Sequence, residues 1–226
     1  MLLSRQEMDS ATISKMIQEI TLLVPGFLLA VTVHEYAHGY IAYRLGDPTA
    51  KMAGRLTFNP ISHLDLFGTI ALVLTGMIGW AKPVPVDPRY LRNPQKDMLW
   101  ISVGGPAANL VAAVACALLL HVVVLAFRGS AAGPVSTFIV GPLAMILARA
   151  LIINIGLAVF NLIPIPPLDG FGVLMGMLSR ETAYQLGKIE PYGFIILIGL
   201  IVTGAVNIIV RPPIMFLVDI LTTGLR

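Results

Sequence analysis

Charged residues are scarce in this sequence. Only 12% of the 226 residues are Asp, Glu, Lys or Arg, whereas 57% are hydrophobic. A soluble globular domain has about 25% charged residues, so the composition excludes that class and indicates a polytopic membrane protein. A chain of this length fits one domain, and we expect residues 1–226 to form a single membrane-embedded domain with a core at about 22–178 and C-terminal helices at 190–226.

Cysteine pairs, a cleavable signal and repeats are also missing. The one cysteine, Cys116, lies in an apolar run and cannot form a disulfide within the chain, so we assign it to packing. The first residues, MLLSRQEMDS, are too polar for a secretory signal, and we expect the first spanning segment to direct insertion. No tandem repeat or low-complexity tract is visible. The net charge of +3 bears on membrane orientation and does not indicate a nucleic-acid partner.

Long apolar segments recur along the chain and predict about four transmembrane helices. A helix needs about 20 apolar residues to cross a bilayer. The predicted spans lie within residues 21–45, 98–127, 135–163 and 194–210. The shorter stretch TIALVLTGMIG predicts a half-helix or re-entrant element, and IMFLVDIL predicts a short amphipathic or interfacial helix. The predicted fold is therefore an all-α membrane bundle.

Basic residues are distributed unevenly between the loops. The region between the first two spans contains Arg44, Lys51, Arg55, Lys82, Arg89, Arg92 and Lys96. The loop between the second and third spans contains only Arg128. The positive-inside rule therefore places the first of these regions in the cytoplasm. The C-terminal ends of the first and third spans then reach the same, cytoplasmic side of the membrane.

The first span carries the sequence His34-Glu35-Tyr36-Ala37-His38. Residues four positions apart share one face of a helix, so both imidazoles can bind one metal ion while Glu35 lies beside it. A hydrolytic zinc site has three protein ligands and one position for water, whose proton the glutamate accepts. A charged residue at the centre of a membrane helix costs about 2.5–3.5 kcal/mol on insertion scales, which favours a functional site. The alternative is a set of interfacial polar residues that pack against other helices.

A third ligand is needed, and Asp169 is the candidate. It follows the prolines of NLIPIPPLDG, at the broken end of the third span. The alternative role is an N-cap for the next helix, which is a common use of aspartate. Because the histidine pair needs a carboxylate at the same depth, we predict that Asp169 is the third ligand.

The motifs HEYAHG and NLIPIPPLDG together resemble the site-2 protease family of intramembrane metalloproteases. That family pairs H-E-x-x-H on one spanning helix with an aspartate in an N-x-x-P-x-x-x-x-D-G motif on a later one. The resemblance implies Zn²⁺ as the cofactor, His34, His38 and Asp169 as its ligands, and Glu35 as the general base. It also implies that Asn161 hydrogen-bonds to the substrate or the oxyanion. The sequence GGPAAN resembles a small-residue packing motif of the same family.

The family also places a membrane re-entrant β-hairpin after the zinc helix, and Ala50–Phe58 matches that place. We therefore expect a small membrane-associated β element there. An exposed strand edge would bind an unwound substrate segment by β-augmentation, and Gly54 would allow the two backbones to approach. The alternative is an ordinary cytoplasmic loop. We see no sequence long enough for the PDZ or CBS domains of some members, so the resemblance is to a minimal core.

Four other polar residues in or near apolar segments have less specific interpretations. We predict that Arg149 snorkels to the outer interface, although a functional pair is the alternative. Asn154 is expected to form packing hydrogen bonds, and His121 to be a buried, hydrogen-bonded side chain. His63 is expected to be interfacial, because a fourth ligand would close the zinc site.

The sequence thus predicts a zinc endopeptidase of the cell membrane that cuts peptide bonds within or next to transmembrane segments. Its expected partners are transmembrane protein or peptide substrates and the lipid bilayer, with the active site toward the cytoplasm. One alternative is a metal-ion transporter, because broken helices and intramembrane ionisable groups also mark transport sites. No inverted repeat supports that alternative. The other is a non-catalytic, zinc-stabilised membrane adaptor.

Overall fold

The fold is predominantly helical in the residues that the computed structural model describes, which are 10–75, 80–128 and 133–225. The α-helices are α1 (Ser10–Leu45), α2 (Thr49–Met52), α3 (Leu66–Thr75), α4 (Pro94–Phe127), α5 (Gly141–Asn161), α6 (Asp169–Met177), α7 (Arg180–Gly187), α8 (Gly193–Val202) and α9 (Ala205–Thr222). Among these residues there is no β-sheet, and the one strand-like pairing is an isolated antiparallel bridge between Leu64 and Ala81. The prediction of an all-α membrane bundle is thus confirmed, for the described residues, as far as the helical class is concerned.

Within the described part of the chain, five helical segments are long and apolar enough to cross a membrane, where the sequence predicted about four. They are Ile17–Leu45, Pro94–Phe127, Ser136–Asn161, Arg180–Val202 and Ala205–Thr222. An apolar helix of about 20 residues is long enough to cross the hydrocarbon core of a membrane. Several such helices in one chain indicate a multi-pass membrane protein.

The C-terminal region accounts for the difference in the number of spans. The predicted span over 194–210 is interrupted at Gly204, whose left-handed backbone (φ 76°) separates α8 from α9. The predicted short helix at IMFLVDIL is instead part of α9, which continues through Pro212 and Pro213. Prolines are tolerated inside membrane helices where neighbouring groups satisfy the freed carbonyls, and α9 passes this proline pair without ending.

The predicted β element at Ala50–Phe58 is also wrong. The chain there forms the short helix α2, a turn at Ala53–Gly54 and an irregular segment that ends at Phe58. The backbone N–H groups of Gly54 and Arg55 donate to the carbonyls of Lys51 and Ala50, so local helical and turn bonds replace a sheet ladder. The alternative of an ordinary loop describes this segment better.

The centre of the bundle consists of α1, α4 and α5, which pack on one another, with α6 against α4 and α9 against α5. Small residues allow this close packing. A Cβ built on Gly26 of α1 would lie 2.8 Å from the Cα of Ala150 in α5, so only glycine permits the two backbones to touch. Cys116 lies in the apolar cluster between these helices, as predicted for a packing residue.

The irregular segment before α4 is tied to the end of α1 by polar contacts. Asp47, fully buried, accepts a 2.7 Å hydrogen bond from the backbone N–H of Asp87. The guanidinium of Arg55 donates to the carbonyl of Lys82, whose own N–H donates to the carbonyl of His63. These bonds keep residues 81–87 against the helix that carries the H-E-x-x-H sequence.

The other polar residues singled out above are placed as follows. Arg149 pairs with Glu19 of α1 at 2.7 Å, with both side chains partly exposed. His63 is fully buried rather than interfacial, and its Nε2 lies 2.8 Å from the carbonyl oxygen of Thr57. His121 is only partly buried and contacts the carbonyl oxygen of Thr223, which joins α4 to the end of α9.

Candidate metal centre

Three predicted ligands from two distant parts of the chain come together. His34 and His38 lie on α1, and Asp169 is the first residue of α6. Their ligand atoms all lie within 4.8 Å of one another. The Nε2 atom of His34 is 3.1 Å from Asp169 Oδ2, and that of His38 is 3.3 Å from Asp169 Oδ1. The carboxylate therefore faces both imidazoles at once.

The two imidazoles point in the same direction because they are one helical turn apart. Their Nε2 atoms are 3.0 Å apart, and the rings meet edge to face with an interplanar angle of 85°. The other ring nitrogen of His38, Nδ1, lies 2.7 Å from the backbone carbonyl oxygen of Ile101 in α4. A carbonyl only accepts, so a neutral His38 carries its proton on Nδ1 and presents the Nε2 lone pair to the cluster.

The donor set fits a metal ion. Asp169 Oδ2 is buried and has no hydrogen-bond partner among the described residues. An imidazole lone pair and carboxylate oxygens packed this closely repel one another unless a cation lies between them. Two histidine nitrogens and one carboxylate also match the three-ligand sets of catalytic zinc sites. His34, His38 and Asp169 are therefore suited to hold Zn²⁺.

A glycine of α4 makes room for the imidazole pair. A Cβ built on Gly105 would lie 2.6 Å from Cε1 of His34 and 2.7 Å from Cε1 of His38, closer than real Cβ atoms approach. Any larger residue would require the rings or α4 to move. The packing role predicted for GGPAAN thus extends to the positions of both candidate ligands.

The loop between α5 and α6 sets the position of Asp169. Leu168 occupies the N-cap position of α6, and no side chain accepts a capping hydrogen bond there. Asp169 therefore does not have the alternative role of an N-cap. The next residue, Gly170, is pressed against the loop, and a Cβ there would lie 2.5 Å from the carbonyl oxygen of Ile163. The close contact of Gly170 with the α5–α6 loop therefore fixes the backbone directly after Asp169, which holds the Asp169 carboxylate inside the bundle.

Glu35 is buried beside the cluster, and its carboxylate is held by a backbone group. Its Oε2 accepts a 2.9 Å hydrogen bond from the N–H of Val84. Val84 stands between Pro83 and Pro85, which have no N–H, so it supplies the one backbone donor of that tripeptide. The Val84 side chain is buried and lies close to Gly39, one turn after Glu35 on the same helix.

Two residues of this centre were missed by reasoning from sequence. Val84 lies in the irregular segment before α4, where we predicted no site residue, and its only signal is the P-V-P pattern that isolates one backbone donor. Asn109 was assigned to packing, yet its Oδ1 lies 2.7 Å from Nδ1 of His34. The signal for Asn109 is its polar amide side chain, which follows small residues and precedes apolar ones in a spanning helix.

The residues predicted to bind substrate have the following surroundings. Asn161 is partly buried at the end of α5, and its amide donates to the carbonyl of Leu157 at 3.0 Å. Gly54 is exposed in the turn after α2 with a left-handed backbone (φ 67°), a conformation that by itself favours glycine. The roles of both in substrate binding stay predictions.

Comparison with known proteins gives a consistent result. The sequence model of Peptidase family M50 matches residues 22–206. A protein of Bacillus subtilis named "Putative zinc metalloprotease YwhC" is 37% identical over 190 residues, which are 84% of each chain. A Mycolicibacterium smegmatis protein named "Putative zinc metalloprotease Rip2" is 33% identical over 191 residues, covering 82% of this chain and 68% of the relative. No solved structure matches the sequence.

Proposed function

The chain belongs to Peptidase family M50, and from this membership and the geometry of the centre we propose that it cleaves peptide bonds with zinc held by His34, His38 and Asp169. It is a multi-pass membrane zinc metalloprotease, in agreement with its relatives and its five apolar helices. The observation that carries the ligand assignment is the approach of three ligand atoms to within 4.8 Å of one another in a buried position.

Hydrolysis requires a base next to the metal. A zinc ion held by His34, His38 and Asp169 would polarise the peptide carbonyl and would lower the pKa of water to about 7. Glu35 follows His34 directly, and the Val84 N–H holds its Oε2. Glu35 accepts a proton from the attacking water through its carboxylate and passes it to the nitrogen of the leaving amine as the C–N bond breaks. Burial of Glu35 strengthens its interaction with the charges that develop.

The substrates are transmembrane or membrane-proximal segments. A helix in a bilayer hides its carbonyls in internal hydrogen bonds, so it must unwind locally before attack. We place Asn161 and Gly54 at the unwound segment, Asn161 as a donor to its carbonyl oxygens and Gly54 as a point of close backbone approach. The ring of Phe58 stacks on Tyr36 at 4.2 Å, which supports a position of the Gly54 loop next to Glu35.

The active site faces the cytoplasm in this proposal. The basic residues that precede α4 lie in the same region as the end of α1, which carries the H-E-x-x-H sequence. Positive charges near the ends of spans are retained on the cytoplasmic side. Water reaches a site near that face more easily than one at the midplane.

The decisive experiment compares the wild type with Glu35→Gln in nanodiscs, using a model transmembrane substrate and a measurement of bound zinc. We expect the variant to keep its zinc and to lose cleavage by about 10²–10⁴-fold, the contribution of a general base. Cleavage by Glu35→Gln at the wild-type rate would overturn the assignment of the base. Zinc flux into proteoliposomes without any peptide cleavage would favour a transporter, and an unchanged cellular phenotype of Glu35→Gln would favour an adaptor.

A further inference from the structure

We propose that Asn109 is a positioning residue that sets the tautomer of the neutral His34 imidazole, so that its Nε2 lone pair is available to the metal. This inference rests on the proposed function, because it takes His34 as a zinc ligand. Asn109 lies on α4 and is fully buried. Among the described residues its side chain forms hydrogen bonds with His34, Ala30 and Asn154, and none with Asp169. It therefore acts through His34.

Asn109 is the central member of a buried chain of amides that joins three helices. Its Nδ2 donates to the backbone carbonyl of Ala30 in α1 and to Oδ1 of Asn154 in α5, both at 2.9 Å. Asn154 is also fully buried, and its Nδ2 donates to the carbonyl of Ala150 at 2.8 Å. The chain ends at His34, whose Nδ1 lies 2.7 Å from Asn109 Oδ1.

The two backbone carbonyls decide the direction of every bond in this chain. The carbonyl of Ala150 only accepts, so the amide nitrogen of Asn154 must face it and the Oδ1 of Asn154 must face Asn109. The nitrogen of Asn109 then faces two acceptors, and its Oδ1 faces His34. An amide flip would set oxygen against oxygen in a buried place, which is costly.

The orientation of Asn109 determines the tautomer of His34. An amide oxygen only accepts, so the proton of a neutral His34 lies on Nδ1 and the lone pair on Nε2. That Nε2 atom is the one that lies 3.1 Å from Asp169 Oδ2. Partners that fix the second nitrogen of a metal-bound histidine change metal affinity by roughly 10–100-fold when they are removed.

The competing explanation is that the amides only hold the helices together, which is a common role of asparagine in membrane bundles. The pair Asn109→Leu and Asn154→Leu separates the two roles. Each variant removes a buried interhelical amide of similar size, but only Asn109→Leu removes the acceptor for His34. In Asn154→Leu the carbonyl of Ala30 still orients Asn109.

The test measures zinc affinity by competition with a chromophoric chelator and the tautomer of His34 by ¹⁵N NMR of histidine-labelled, zinc-free protein in nanodiscs. We expect Asn109→Leu to lower zinc affinity 10–100-fold, and Asn154→Leu to lower it by less than about a third of that factor. The wild-type spectrum should show His34 protonated at Nδ1, and Asn109→Leu should show a mixture of tautomers.

Equal zinc affinities of Asn109→Leu and Asn154→Leu would overturn the proposal, as would a wild-type His34 protonated at Nε2. If Asn109→Leu fails to fold, the wild-type spectrum and Asn154→Leu still decide the matter. The variant His34→Ala separates this inference from the function on which it rests. Unchanged zinc affinity of His34→Ala would refute the ligand assignment itself, whereas a large loss there with none in Asn109→Leu would refute only the role of Asn109.

Discussion

The backbone N–H of Val84 donates a 2.9 Å hydrogen bond to Oε2 of Glu35, from a position 49 residues further along the chain. The bond links the residue next to His34 to the irregular segment that precedes α4. It restrains the rotation of the carboxylate and occupies one of its two oxygens. A carboxylate with one fixed oxygen presents the other in a defined place, which a general base requires.

Removing the Val84 donor should therefore slow catalysis without releasing zinc. Val84→Pro eliminates the N–H, whereas Val84→Ala keeps it and removes only side-chain packing. A hydrogen bond to a charged group contributes about 1.5–3 kcal/mol, so we expect kcat of Val84→Pro to be about tenfold or more below that of Val84→Ala. Steady-state cleavage assays with measurement of bound zinc check this. Equal kcat values of the two variants would show that the bond does not help Glu35.

Adding one methyl group at Gly105 should disturb the ligand pair. The added Cβ would lie within 2.7 Å of both imidazole rings, so the rings or α4 must move. Overpacking of this kind costs about 1–3 kcal/mol. We expect Gly105→Ala to lower both thermal stability and zinc affinity. The matched control is Gly156→Ala in α5, where a Cβ meets nothing within 4 Å and helix propensity favours alanine. Zinc affinities that do not differ between these variants would contradict the crowding argument.

Neutralising Asp169 should weaken zinc binding while the bundle stays folded. Asp169→Asn keeps the size of the side chain but removes the charge that faces His34 and His38. We expect zinc affinity to fall at least tenfold, because a neutral amide is a poor substitute for an anionic ligand. Chelator competition gives the affinity, and a thermal unfolding curve of the zinc-free protein tests the fold. Retention of wild-type affinity would mean that another group completes the site.

The orientation of the chain can be tested with single cysteines in a Cys116→Ala background. Met52 is exposed after α1, and Arg128 is exposed at the end of α4, on the opposite side in the proposed topology. A membrane-impermeant maleimide applied to intact cells should label Arg128→Cys and not Met52→Cys. In inverted vesicles the pattern should reverse. Labelling of Met52→Cys from outside would place the active site away from the cytoplasm.

The predicted family and cofactor depended on local sequence alone, and both are confirmed. A histidine pair at helical spacing within an apolar segment, followed later by an aspartate after prolines, is specific because each group is costly in a membrane without a function. The match to Peptidase family M50 and the names of the relatives agree with that prediction. The helical class followed in the same way, since only helices or closed barrels satisfy the backbone in a bilayer.

The predictions that failed concern places where neighbours override local preferences. The short helix predicted at IMFLVDIL is part of α9, which continues through its proline pair and packs against α5, and Gly204 interrupts the apolar run that was predicted as one span. The Ala50–Phe58 segment was predicted as a strand by resemblance, yet its short-range hydrogen bonds form a helix and a turn.

The sequence by itself was enough to predict a multi-pass membrane protein that uses zinc, because composition and the helical spacing of the histidine pair are local features. Which groups surround the candidate ligands was decided by the tertiary structure. The Val84 donor on Glu35 and the Asn109 acceptor at His34 come from segments far along the chain. Only the packing of α1 against α4, with residues 81–87 tied down beside them, brings these groups within hydrogen-bonding distance, and no local pattern encodes that approach.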